Sequence, residues 1–182
     1  CGPSRAGFMT ARYPQRIGFE RNPQYQPEEP DMGLTREEKT IAELLRPAGY
    51  HSGIIGKWHL GAHIPTSHPM KRGFDEFYGH LGGGHVYFPE KLTIRRSQDA
   101  KGESESYRTW LMKNFESVPP RKYLTDDFSD EAVSFVERNR DWPFFLFLSY
   151  NAPHTPLEAT FPRLTLIPLP GTECAAPTGT LP

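Results

Sequence analysis

Cysteine is scarce in this chain. Its 182 residues hold two, Cys1 and Cys174, at opposite ends and in unlike surroundings. That excludes a disulfide framework and a cysteine-rich metal site, both of which need grouped thiols, and leaves Cys1 to be explained by itself. Long apolar runs are missing as well. The best of them, residues 144–148, is the size of a strand and far short of the roughly 18 residues that a membrane-spanning helix needs. Nor is there an excess of one charge: 21 Lys and Arg face 22 Asp and Glu, for a formal net charge of -1. The basic residues are scattered, so the continuous cationic track that nucleic-acid binding uses is absent. The chain opens on Cys1 with no initiator methionine or leader before it, and the expectation is a fragment.

What is present reads as α/β. Pro3 suits the first turn of a helix over residues 4–10, which sets Cys1 at a helix N-terminus. A proline-rich stretch, residues 14–30, reads as loop. Thr35 and Glu38 form a capping-box pattern ahead of Ile41, Leu44 and Leu45. Residues 50–55 read as a strand that exits into Gly56, Lys57, Trp58 and His59, and on an extended exit Lys57 and His59 face one way. Thr125 is expected to cap a helix with Phe128, Ala132, Phe135 and Val136 inward. Residues 144–150 follow as a continuous apolar strand of the kind buried on both faces in a parallel sheet. In open α/β sheets the ligand crevice lies outside the carboxyl ends of the strands, where two polar clusters of this chain then fall. From Thr160 onward proline, threonine and leucine dominate, and the division expected is a catalytic-domain portion over 1–159 and an irregular tail over 160–182, either a linker or an out-of-frame segment.

Three blocks carry a resemblance. Cys1-Gly2-Pro3-Ser4-Arg5-Ala6-Gly7-Phe8-Met9-Thr10-Ala11 is similar to a Cys-x-Pro-Ser-Arg pattern. Gly49-Tyr50-His51-Ser52-Gly53-Ile54-Ile55-Gly56-Lys57-Trp58-His59-Leu60-Gly61 is a second motif. Leu148-Ser149-Tyr150-Asn151-Ala152-Pro153-His154-Thr155-Pro156 is a third. In this order they resemble the type I, formylglycine-dependent sulfatases of the alkaline-phosphatase-like superfamily; one block would be weak, and three in sequence are specific. Met9, Ala11 and Ser52 depart mildly from the family pattern.

The resemblance implies a fragment of an alkaline-phosphatase-like sandwich with a mostly parallel central sheet flanked by helices. It implies that Cys1 is oxidised to formylglycine by a formylglycine-generating enzyme, and that the hydrated aldehyde attacks the sulfur of a sulfate ester and later expels sulfate from a covalent intermediate. Arg5, Lys57, His59 and His154 are the other catalytic candidates, Lys57 and His154 also touch substrate, and His85 lies in a loop on the substrate side. Lys57 is given the role of charge stabiliser and His59 that of proton donor. His51, His63, His68 and His80 have no such warrant and read as solvent or packing residues.

The implied cofactor is calcium, to which Cys1 as formylglycine contributes one ligand. The family's Asp-Asp and Asp-Asn ligand pairs and a second lysine have no match in this chain, since Asp126-Asp127 opens a helix. The implied partner is a sulfated small molecule or carbohydrate, arylsulfatase-like substrates included, and family precedent points to the periplasm or secretion. Two rival readings stand beside it: an inactive truncated product lacking the metal site, and a phosphonate or phosphate ester hydrolase on the same scaffold. The chain by itself is expected to be inactive.

Overall fold

The computed structural model describes residues 1–91 and 111–160; the tail from residue 161, with Cys174, lies outside the described residues. The elements are α1 (Gly2–Thr10), α2 (Ile41–Leu45), β1 (His51–Lys57), α3 (Ile64–Ser67), β2 (Glu76–His80), β3 (Leu111–Lys113), β4 (Glu116–Ser117), α4 (Leu124–Asn139) and β5 (Phe144–Ser149). The strands form one sheet in the order β4-β3-β2-β1-β5. β1 pairs in parallel with both β2 and β5, whereas β2–β3 and β3–β4 are antiparallel. The sheet is therefore mixed, which corrects the mostly parallel expectation. The hairpin that changes it, β3–β4, is too short and polar to have been read from alternation.

Side chains alternate across the sheet, and each face is covered. Ile54, Phe77, Met112, Phe145 and Phe147 join Ala6 and Met9 of α1 and Ala42 of α2 on one side. Ile55, Tyr78, Leu111, Leu146 and Leu148 join Leu124, Phe128, Ala132 and Phe135 of α4 on the other. This is the period-2 signature of strands that are sandwiched between helices.

Several local expectations are corrected. The capping box belongs to Thr40 and Glu43: Thr40 Oγ1 accepts from Glu43 N, and Glu43 Oε2 accepts from Thr40 N at 2.8 Å. Both pairs match the motif, but only Thr40 directly precedes the apolar run. α4 starts at Leu124 behind Tyr123 with no side-chain cap, because burying Leu124 draws the start two residues earlier than a Thr125 cap would set it, and Asp126 and Asp127 complement its positive end. Val136 is 40% exposed rather than inward. Residues Phe144 to Leu148 are half-buried, since among the described residues β5 stands last in the sheet order with β1 as its one partner, so full burial on both faces does not hold.

The candidate active site at the carboxyl ends of the strands

α1 follows Cys1 directly, with Cys1 as its N-cap residue and Pro3 in the first turn. The Cys1 side chain makes no capping bond, and its Sγ lies 3.3 Å from His59 Nδ1. Fifty-eight residues separate the two in sequence. What brings them together is Arg5, whose guanidinium donates to the carbonyls of Lys57 and Trp58 (Nε to Trp58 O, 2.7 Å) and stacks over the Phe147 ring. Arg5 straps α1 to the end of β1.

β1 runs on to Lys57, two residues beyond its expected end, and Gly56 is what permits this. A Cβ at Gly56 would sit 1.9 Å from Ser149 O, and its φ of 109° is one that side chains rarely adopt. The chain then turns at His59, which has φ 55°, a left-handed conformation that costs a non-glycine residue about 1 kcal/mol or more. Lys57 and His59 accordingly do not share one face of an extended exit as expected. Lys57 Nζ donates to Gly83 O, whereas His59 swings its ring to Cys1.

His59 Nε2 lies 3.2 Å from Pro23 O. A carbonyl can only accept, so Nε2 carries the proton and Nδ1 faces Sγ as an acceptor. Burial, then the charge of Lys57, hold the imidazole down at about 3, so His59 is neutral near pH 7. Burial, then the charge of Arg5, bring the Lys57 ammonium down to about 8, and burial brings Arg5 to about 10. Among the described residues no carboxylate lies in ion-pair distance of Arg5 or Lys57. Two desolvated cations without a counter-anion favour binding of an anion between them.

The second half of the site hangs on Gly82-Gly83-Gly84. A Cβ at Gly84 would lie 3.2 Å from the His154 ring, so this glycine lets the third motif press against the loop that holds Lys57. His154 Nδ1 donates to Thr155 O, and its carbonyl accepts from Tyr87 Oη at 2.8 Å. His85 is buried, donates from Nδ1 to Val86 O, and its carbonyl accepts from Asn151 Nδ2 at 3.0 Å. Cys1, Arg5, Lys57 and His59 thus form one contact chain, and His154 and His85 join it through the glycine loop rather than by touching Cys1.

Three contributors escaped sequence reasoning. Asn22 Oδ1 accepts from Gly2 N at 2.7 Å and lies 3.5 Å from Cys1 Sγ, and Pro23 O meets His59; both sit in a stretch with no periodic signal. His80, read as a packing residue, is the register partner of Lys57, fully buried, with its ring 5.2 Å from that of His85. Its place one strand over from Lys57 is visible only once β1 and β2 are paired.

The described residues gather no seat for calcium. Among the described residues no three His, Cys, Asp or Glu side chains gather, and the surroundings of Cys1 supply one oxygen from Asn22 against two cations, where calcium takes 6 to 8 oxygen ligands. Asp126 and Asp127 lie in the first turn of α4, with Asp127 bonded to Tyr78 and Arg121.

The sulfatase family model matches residues 1–165. The N-acetylgalactosamine-6-sulfatase of Homo sapiens is 38% identical over 178 residues, covering 90% of this chain and 32% of that protein. An arylsulfatase of Hemicentrotus pulcherrimus is 37% identical over 170 residues, covering 86% and 29%. Among solved structures, Ps i-CgsB superposes with a TM-score of 0.80 at 44% identity over 92% of this chain and 38% of its own, and its complex with k-i-k-neocarrahexaose does so with a TM-score of 0.76 at 43% identity. The chain spans about a third of the length of the relatives it matches.

Proposed function

The chain belongs to the sulfatase family, and from that premise we propose that it supplies the nucleophile side of a sulfuric ester hydrolase. One observation carries this reading: the Cys1 thiol, 3.3 Å from His59, stands beside two desolvated cations, the half-buried Arg5 and the buried Lys57, that have no carboxylate partner among the described residues. A sulfate monoester is the kind of anion such a pocket recruits, and charge that builds on its oxygens during transfer meets fixed donors.

In this reading Cys1 is converted to formylglycine, and Sγ marks where an oxygen of the aldehyde hydrate stands. His59 Nδ1, an acceptor at rest, takes the proton of that oxygen as it attacks sulfur, and the S–O bond to the alcohol breaks. The imidazolium so formed then protonates the departing alkoxide. The expectation of His59 as proton donor is thereby refined: it must first act as a base. His59, neutral again, takes the proton of the second hydroxyl as the aldehyde carbonyl re-forms and the C–O bond to sulfate breaks. Lys57 and His154 hold sulfate oxygens, and Arg5 acts through the backbone it straps. The residues described here do not form the family's cation site, and no step above runs through it. We assign the calcium ligands, and with them full activity, to a longer protein, so that this chain alone is inactive.

The names of the relatives favour a sulfated sugar over an aryl ester as substrate. The reading is tested with the full-length protein containing this chain, offered the sulfate and the phosphate ester of one phenol. Preferential sulfate release that disappears in Cys1→Ala supports it. Preference for phosphate would move the chain to the phosphatase branch of the scaffold, and turnover retained by Cys1→Ala would remove Cys1 from the mechanism.

A further inference from the structure

A cavity of about 270 Å³ opens beside the nucleophile, between residues 18–23 and 31–33. Both walls are fastened to the reacting pair. Asn22 bonds Gly2 N and Pro23 O meets His59 on one side, and on the other Gly33 bridges to Gly61 while Leu34 N donates to Leu60 O at 2.9 Å, just after His59. Phe19 is buried and forms an apolar floor, whereas Glu20, Arg21 and Asp31 are exposed at the rim and make no ion pair among the described residues.

We infer that this cavity receives the alcohol half of the ester, and that Glu20 and Asp31 select a neutral, hydroxyl-bearing ring. The inference rests on the sulfatase reading and deepens it. At about 270 Å³ the space is near the small end of the range of small-molecule pockets and has room for one substituted ring. Two carboxylates accept hydrogen bonds from hydroxyl groups, Arg21 donates one in return, and an apolar ring face rests on Phe19. Carboxylates outnumber the guanidinium by two to one, so a second sulfate on the same ring is repelled.

The test uses the full-length protein with p-nitrophenyl sulfate, N-acetylgalactosamine 6-sulfate, and the same sugar carrying a second sulfate. Glu20→Gln and Asp31→Asn should each raise KM for the monosulfated sugar about tenfold, with kcat within about twofold, because a charged acceptor is lost from binding and not from chemistry. The double variant should narrow the preference for the monosulfated over the disulfated sugar. Turnover of p-nitrophenyl sulfate, which has no ring hydroxyls, should hold in all variants and reports that they fold. Unchanged KM ratios with both esters turned over overturn the cavity assignment alone. Absence of turnover of every ester overturns the sulfatase reading and this inference with it.

Discussion

The two ends of β1 handle buried charge in opposite ways. At its amino end and along the α4 face, the buried carboxylates Asp127 and Glu131 meet opposite charges. His51 Nε2 lies 2.9 Å from Glu76, which also receives Arg138; Asp127, fully buried, accepts from Tyr78 Oη at 2.7 Å and from Arg121 Nε at 2.6 Å; Glu131 draws Lys113, Arg121 and Arg138. At its carboxyl end Arg5 and Lys57 are desolvated, and among the described residues their hydrogen bonds go to backbone carbonyls and no carboxylate pairs with them. Compensated charge is architecture, since removing one partner strands the other. Uncompensated charge of one sign is a standing cost to the fold, which marks a place kept ready for an outside anion.

If this distinction holds, changes at the two ends should separate rate from stability. The largest effect falls on the carboxyl end: Lys57→Met should lower kcat/KM of the full-length protein for a sulfate ester on the order of 10²–10³-fold, while the melting temperature stays level or rises. A melting temperature that drops with the rate would make Lys57 a structural residue. The opposite pattern is expected of Asp127→Asn, which should cost about 2–3 kcal/mol of stability and leave kcat/KM within about twofold, read by denaturant titration and turnover of the same variant. Its half-exposed partner Arg121 holds the cost toward the lower end.

pH sharpens the contrast. The Lys57 ammonium is lowered to about 8, so the cation proposed to bind sulfate is present below that value and is lost as pH rises through it. A profile of kcat/KM should therefore fall above about pH 8, and the fall should vanish in Lys57→Met. For stability the sign runs the other way. Between about pH 8 and the usual lysine range near 10.4 the unfolded chain binds the extra proton, so the Lys57 contribution to stability improves with pH there. The smallest effect is expected at the exposed Lys122–Asp130 pair, where Lys122→Ala should change stability by no more than about 0.5 kcal/mol.

Legibility in the sequence followed the range of the forces involved. Three motifs placed Cys1 ahead of α1, Lys57 and His59 at the exit of β1 and His154 past β5, because glycines and prolines fix local backbone whatever lies around them. The α1 start and the Phe128, Ala132 and Phe135 stripe were readable for the same reason, as periodicity is local. The antiparallel pairing of β3 with β2, the turn of His59 away from Lys57, and the use of Asn22, Pro23 and His80 depend on partners 20 to 60 residues away, and nothing in their own neighbourhoods signals them. The capping box shows a finer limit: Thr35 and Thr40 carry the same pattern, and burial of the residue that follows decides between them.

Sulfate binding by calorimetry, on this chain and its Lys57→Met variant at pH 7, tests most directly whether the carboxyl end of β1 is built for an anion. Binding to the parent chain is expected, lost in the variant and weakened at pH 9.5. Equal binding to both, or none to either, would contradict it.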